Sequence, residues 1–132
     1  ASGTFARHQY EFSRAIEGGE SIVRGNDVDT APRDIHRATV NWHPGERLAL
    51  EAEWLAVGDY WLDASNAHRY PGHELLNLRG RWNLAPGWVM TLRLTNALDR
   101  DYADRADFAF DSYRYFPGRD RALFAEIAWA RP

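Results

Sequence analysis

Residues 75–82 read LLNLRGRW, with Leu76, Leu78 and Trp82 on even positions and Asn77, Arg79 and Arg81 on odd ones. An extended strand points successive side chains to opposite faces, so this stretch has one apolar and one charged side. The same alternation recurs in six segments, 4–13, 34–42, 47–57, 74–82, 88–96 and 122–130. Helical periodicity is poor in all of them, and β-branched or aromatic residues recur. The pattern predicts an all-β fold, an antiparallel up-and-down meander of about six strands.

The connections alternate in length. HPGE (43–46) and LAPG (84–87) are tight turns, with Pro fixing φ and Gly relaxing it. The segments 14–33, 58–73 and 97–121 are long and are read as loops. Short turns at one end and long loops at the other are the pattern of an outer-membrane barrel, and a soluble meander can share it.

The alternation assigns faces. Ala38, Val40 and Trp42 share an apolar side with Leu48, Leu50, Ala52 and Trp54. Leu76, Leu78, Trp82, Met90, Leu92, Leu94, Leu123, Ala125, Ile127 and Trp129 extend it. The opposite side carries Arg37, Glu51, Glu53, Arg79, Arg81, Arg93 and Glu126. Phe5, Leu55, Val57 and Phe124 fall on this charged side as exceptions, and His8 on the apolar one. In a soluble protein the apolar face is the core. In a membrane barrel it meets lipid and the charged face lines a wet lumen; alternation fits both.

Tryptophan position separates the two readings. Trp42, Trp82, Trp88 and Trp129 all fall at the short-turn end. An indole, apolar with one N–H donor, favours an oily–wet boundary, so the row reads as an aromatic girdle. Composition agrees: six Trp, six Tyr and six Phe coexist with a mean hydropathy of −0.57, which suits apolar residues confined to one thin face. Six strands leave unpaired edges that lipid does not tolerate. The chain, which opens directly in alternating sequence, is therefore expected to be part of a larger barrel.

Other chemistry is sparse. A net charge of −3, with Arg as the sole basic residue besides His, gives no basic field for nucleic acid. Cysteine is absent, which excludes disulfides and thiolate metal sites. His8, His36, His43, His68 and His73 show no HxxxH or HxH pairing, and no metal or cofactor is expected. GNDVDT (25–30) faintly resembles a calcium loop but lacks the closing Glu of an EF-hand. Glu51 and Glu53 read as charge pairing with nearby arginines rather than a catalytic dyad. With no nucleophile elbow or phosphate loop present, no enzyme is expected.

Two stretches carry a family resemblance. LTNALDRDYADRADF (94–108) resembles the penultimate-strand segment of TonB-dependent outer-membrane receptors through Asn96, Leu98, Asp99 and Tyr102. YRYFPGRDRALFAEIAW (113–129) resembles their final loop and last strand, with Pro117, Gly118 and Arg119 leading in, and Trp129 in the register of the family's terminal aromatic. Upstream, Tyr60, Asp63 and Asn66, then Tyr-Pro-Gly entering a strand, are also similar. Together these cover about residues 34–130. The resemblance implies a 22-stranded barrel filled by an N-terminal plug, of which residues 1–132 are the C-terminal segment, with the plug and earlier strands outside it.

It further implies a place in the outer membrane among lipid, TonB as energy-coupling partner through the N-terminal part, and import of a scarce nutrient such as a ferric siderophore. Ligand contact would come from outer loops, where the candidates are Tyr60, Trp61, Arg69, Tyr70, Tyr113, Arg114 and Tyr115. Aromatic rings beside guanidinium groups suit an anionic, partly aromatic small molecule. The rival reading is a soluble β-barrel or sandwich that binds a small ligand and uses the tryptophans as core.

Overall fold

A computed structural model describes residues 1–15 and 21–130. Its strands are β1 (Ser2–Phe5), β2 (Arg14–Ala15), β3 (Ser21–Ile22), β4 (Asp34–Trp42), β5 (Leu48–Val57), β6 (Tyr60–Trp61), β7 (Arg69–Tyr70), β8 (His73–Ala85), β9 (Trp88–Thr95), β10 (Ala103–Ala109), β11 (Ser112–Pro117) and β12 (Ala122–Trp129). No helix occurs among the described residues. Six strands form one antiparallel sheet in the order β1-β4-β5-β8-β9-β12, an all-β meander. The three long connections carry two-stranded ladders of their own, β2-β3, β6-β7 and β10-β11.

The register fixes the faces. Trp42 lies opposite Leu50, Leu50 opposite Gly80, Gly80 opposite Leu92 and Leu92 opposite Ala125. Directly paired residues share a side, so the apolar face assigned from sequence is continuous across β4, β5, β8, β9 and β12. The other side carries the rows Glu51–Arg79–Arg93–Phe124 and Thr39–Glu53–Asn77. Arg37 ion-pairs with Glu53, and the Asn77 amide donates to Glu53 at 3.2 Å.

All four girdle tryptophans project from the apolar side. They also form one tilted line. Relative to the row of Trp42, Trp82 lies two positions beyond Gly80, Trp88 four beyond Leu92 and Trp129 four beyond Ala125. Barrel strands tilt by about 35–45°. With about 4.8 Å between strands and about 3.4 Å per residue, a level line then drifts by roughly one residue per strand. The observed slip has that size, as four indoles at one height in a tilted barrel wall require. They are 45–61% exposed, and Trp88 and Trp129 approach to 6.3 Å between ring centres.

Two expectations need correction. The first strand was expected over 4–13 but ends at Phe5. Ala6 still donates to Arg33 O, but beyond it the chain changes partner: His8 O accepts the Val28 N–H and the Tyr10 N–H donates to Asn26 O. Phe5 therefore lies opposite Asp34, on the side of Trp42, and is not an apolar exception on the charged face. The segment 97–121, a loop by its sequence, contains the β10-β11 hairpin. Its turn, Phe110–Asp111, has φ of 53° and 58° without glycine, so the Asn-Gly signature of such turns is missing.

The buried hydrophobic cluster lies outside the sheet, to which Leu75 alone contributes a buried apolar side chain among the described residues. Tyr60, Leu62, Tyr70, Ala103 and Ala106 form the cluster, with Phe108 packed alongside. It lies between the second and third long connections. The sheet is a wall with two solvent-accessible faces, and the packing that fixes a hydrophobic centre is in the layer of loops at its outer end.

Candidate functional site

The loop layer is built on polar ties as well as rings. Asn66 stands in the left-handed region (φ 57°), and its side-chain amide donates to Asp27 O at 2.9 Å while its carbonyl accepts the Asp27 N–H at 2.8 Å. The Asn26 amide donates to Ala64 O, so the first and second connections are bound side by side. The Asp27 carboxylate meets Arg33 and Arg7, and Asp29 accepts the Tyr10 hydroxyl, so both acids of GNDVDT are engaged by protein groups.

Asp63, almost fully buried, organises the second connection. Burial alone would raise its pKa, but the Ser65 hydroxyl and the His68 and Ala67 backbone N–H groups donate to the carboxylate, and His68 lies near. Together these outweigh burial and hold the group below the usual aspartate range. The His68 ring stacks on Phe108 at 3.6 Å, joining this connection to the third.

Asn96 closes the root of the third connection. It is buried at φ 48°; its side chain donates to Arg100 O at 2.9 Å and Arg119 O at 3.2 Å and accepts the Arg100 N–H at 2.9 Å. Its own N–H donates to the Asn77 side chain on β8. The neighbouring Tyr102 hydroxyl accepts the Arg119 N–H at 3.2 Å, and its ring lies against Gly118 where a Cβ would collide with it. The motif residues Asn96, Tyr102, Gly118 and Arg119 thus form one clamp that sets the third connection over the wall.

Under that layer, on the charged side of the sheet, lies an open cleft of about 970 Å³. Its floor is the outer part of the wall, Ile35, Leu55, Val57 and Leu75. Its rim carries His73, Tyr102, Asp104, Arg105 and Arg119. An apolar floor with a ring of phenol, imidazole, carboxylate and guanidinium groups can hold a small molecule with both apolar and charged parts. Among the described residues no group of three or more His, Asp or Glu converges as a metal site.

The sequence candidates fall into separate places. Tyr60 and Tyr70 are buried with ring centres 5.1 Å apart. The Tyr60 hydroxyl accepts the Ala106 N–H at 3.1 Å, and burial, partly offset by that bond, raises its pKa. The Tyr70 hydroxyl accepts the Ala103 N–H at 3.0 Å and lies 3.1 Å from His73 Nδ1. Trp61 lies under the Arg69 guanidinium at 5.6 Å, and Arg69 pairs with Asp59. Tyr113 and Tyr115 are exposed and parallel at 6.1 Å, and Tyr113 also meets His68 and Phe108 edge-on. Arg114 pairs with Asp107 at 2.5 Å. Sequence reasoning missed His73, Asp104 and Arg105 at the cleft rim; the apolar exceptions Leu55 and Val57 on the charged face were the available signal.

Comparison with known proteins decides the family. The family model described as TonB dependent receptor-like, beta-barrel, matches residues 1–97. This chain belongs to the TonB-dependent receptor β-barrel family. No curated protein matches closely enough to add to this. Among solved structures, the siderophore receptor PiuA from Acinetobacter baumannii matches with TM-score 0.69 at 16% identity, over 88% of this chain and 17% of that one. The ferric yersiniabactin uptake receptor FyuA from Yersinia pestis gives 0.68 at 21%, over 80% and 17%. The closed form of the ferric-catecholate import receptor Fiu from K12 E. coli gives 0.66 at 16%, over 85% and 16%. The receptor-barrel segment described here thus spans about a sixth of the length of these structures. Family barrels of this kind lie in the outer membrane, and these relatives are receptors rather than enzymes.

Proposed function

We propose that residues 1–132 are the C-terminal wall segment of an outer-membrane TonB-dependent receptor that imports a scarce nutrient, a ferric siderophore in the first instance. The observation that carries this is the inside-out sheet. Its apolar face, edged by Trp42, Trp82, Trp88 and Trp129, is exposed, while ion pairs and the cleft occupy the other side. A soluble protein would have to bury those indoles; lipid covers them without further structure. The siderophore assignment is supported by what the matched receptors are described as carrying.

In this reading the strands contribute wall and the three connections contribute the outer surface. Trp61, Arg69, Tyr113, Arg114 and Tyr115 are the accessible candidates for first contact, and Tyr60 and Tyr70 hold the layer that carries them. Bound ligand would pass to the cleft rim, with energy supplied by TonB through the N-terminal part of the receptor.

The test is uptake of iron-55 siderophores by cells whose only siderophore receptor is the full-length protein, with the receptor located by membrane fractionation. Receptor in the outer membrane, and siderophore-dependent uptake abolished by deleting TonB, is the expected result. Folded receptor outside the outer membrane, or uptake indifferent to TonB, refutes it.

A further inference from the structure

We infer that Asn77 is a positioning residue for the outer cleft. It ties the third connection to the Arg37–Glu53 ion pair of the wall, so that this pair sets where Tyr102 and Arg119 stand on the rim. The inference concerns the build of the rim and holds whatever ligand the cleft takes up.

The β8-β9 ladder ends at the pair Leu78–Leu94. Just beyond it Asn96 turns the chain at φ 48°, and its N–H donates to Asn77 Oδ1 at 3.0 Å. A backbone N–H can only donate, which orients the Asn77 amide with its oxygen toward Asn96. The amide NH2 is then aimed at β5, where it donates to Glu53 Oε1 at 3.2 Å. The other carboxylate oxygen, Glu53 Oε2, takes Arg37 from β4. Each group in the series Arg37, Glu53, Asn77, Asn96 thus has its donor or acceptor role dictated by the next.

The far end of the series is the clamp. The Asn96 side chain holds the Arg100 N–H and the carbonyls of Arg100 and Arg119, and the Arg119 N–H donates to the Tyr102 hydroxyl. Tyr102 and Arg119 line the cleft. Asn77 lines it too, and also lines a second recess of about 160 Å³ that reaches Glu53. One side chain therefore stands between the charged wall and the root of the connection.

Burial favours a directional tie. Asn96 is 3% exposed and the Glu53 side chain 17%, so water reaches little of either. Were Glu53 only a counter-ion for Arg37, the rim would be indifferent to what residue 53 offers Asn77. The series requires the opposite: an acceptor at 53 facing a donor at 77, or the reverse of both.

That reversal is the test. Asn77→Asp keeps an oxygen for the Asn96 N–H but turns a second one on Glu53 Oε1. Adding Glu53→Gln restores complementarity, with the new amide NH2 toward residue 77 and its carbonyl toward Arg37, and returns the net charge to the wild-type value. In the full-length receptor folded in detergent, hydrogen exchange at Asn96, Arg100 and Arg119 should speed up about tenfold in Asn77→Asp. It should return to near the wild-type rate in the double variant. Exchange at Ala67 and His68, whose N–H groups are held by Asp63, should stay unchanged throughout. If heat-modifiable mobility shows that Asn77→Asp does not fold, recovery of folded receptor by Glu53→Gln is read instead. No acceleration in Asn77→Asp, equal acceleration at Ala67 and His68, or no recovery in the double variant overturns the inference.

Discussion

The side-chain amide of Asn66 pairs with the backbone of Asp27 as a neighbouring strand would, one donor and one acceptor at 2.9 and 2.8 Å. Through it two connections that are far apart in sequence become one surface. Asn66→Ala removes both bonds and places alanine at φ 57°. A partly buried polar group left unpaired costs about 1–3 kcal/mol. Hydrogen exchange at Asp27 should therefore speed up while exchange in β8 and β9 stays unchanged. Equal acceleration in the wall would show that loops and wall are not separate units.

The face assignment makes a paired prediction. Leu92→Arg places a guanidinium against lipid at a cost of roughly 2–4 kcal/mol, whereas lumen positions tolerate charge. Folded full-length receptor in the outer membrane should fall for Leu92→Arg and hold for Thr91→Arg, which shares its side with Arg93. Heat-modifiable electrophoretic mobility measures both. The reverse order would mean that the faces are exchanged.

Asn96→Ala should be the most damaging single change in the third connection. It removes the partners of Arg100 N–H and of the Arg100 and Arg119 carbonyls, which are part-buried, and so costs up to about 1–3 kcal/mol for whichever of them water does not reach. Denaturant unfolding of the receptor should shift accordingly, and Asn96→Asp should not rescue it, because it keeps one acceptor but turns a second oxygen toward the two carbonyls that the amide served.

Asp63 gives a pH dependence of definite sign. Its folded-state pKa lies below the ordinary value, so its contribution is fully present above the ordinary aspartate pKa and is lost as pH falls through the lower, folded one. Carboxyl carbon-13 NMR should show a midpoint below that of an ordinary aspartate. The second connection should loosen only in that acid range, and Asp63→Asn should remove the pH dependence. A midpoint at or above the ordinary value would contradict the hydrogen-bond account.

Removal of residues 60–70 tests the loop layer as a whole. Tyr60, Leu62 and Tyr70 support Ala103 and Ala106, so the deletion takes the base from under the β10-β11 hairpin. Ligand uptake should fall and proteolysis should reach 103–117, with the barrel still folded. Trp61→Ala should lower uptake without the proteolysis, which separates contact from support.

The wall was legible because its signal is local. Period-two alternation places Trp42, Leu50, Leu92 and Trp129 on one side wherever the strands begin, and Pro-Gly marks both tight turns. The loop layer was not legible, because its logic is long-range. Nothing near Tyr60 shows that its hydroxyl will meet Ala106 N–H, and nothing near Asn66 points to Asp27. The same rings that suggest ligand contact in sequence, Tyr60 and Tyr70, serve equally as a core once three connections close over each other. Phe5 is misplaced for a related reason: parity counted along 4–13 assumes one continuous strand, whereas after Ala6 the chain leaves β4 and pairs with the 25–28 segment.

Among the described residues, the irregularity in the six-stranded sheet lies between Asn83 and Ala85 on β8, on the last rungs before the tight turn. There an extra residue bends only the rim. In the middle of β8 the same insertion would exchange Leu78 with Arg79 across the wall and carry every later strand with it. Length variation in a lineage of such walls would therefore collect at strand ends, and the interior spans would drift by substitution alone.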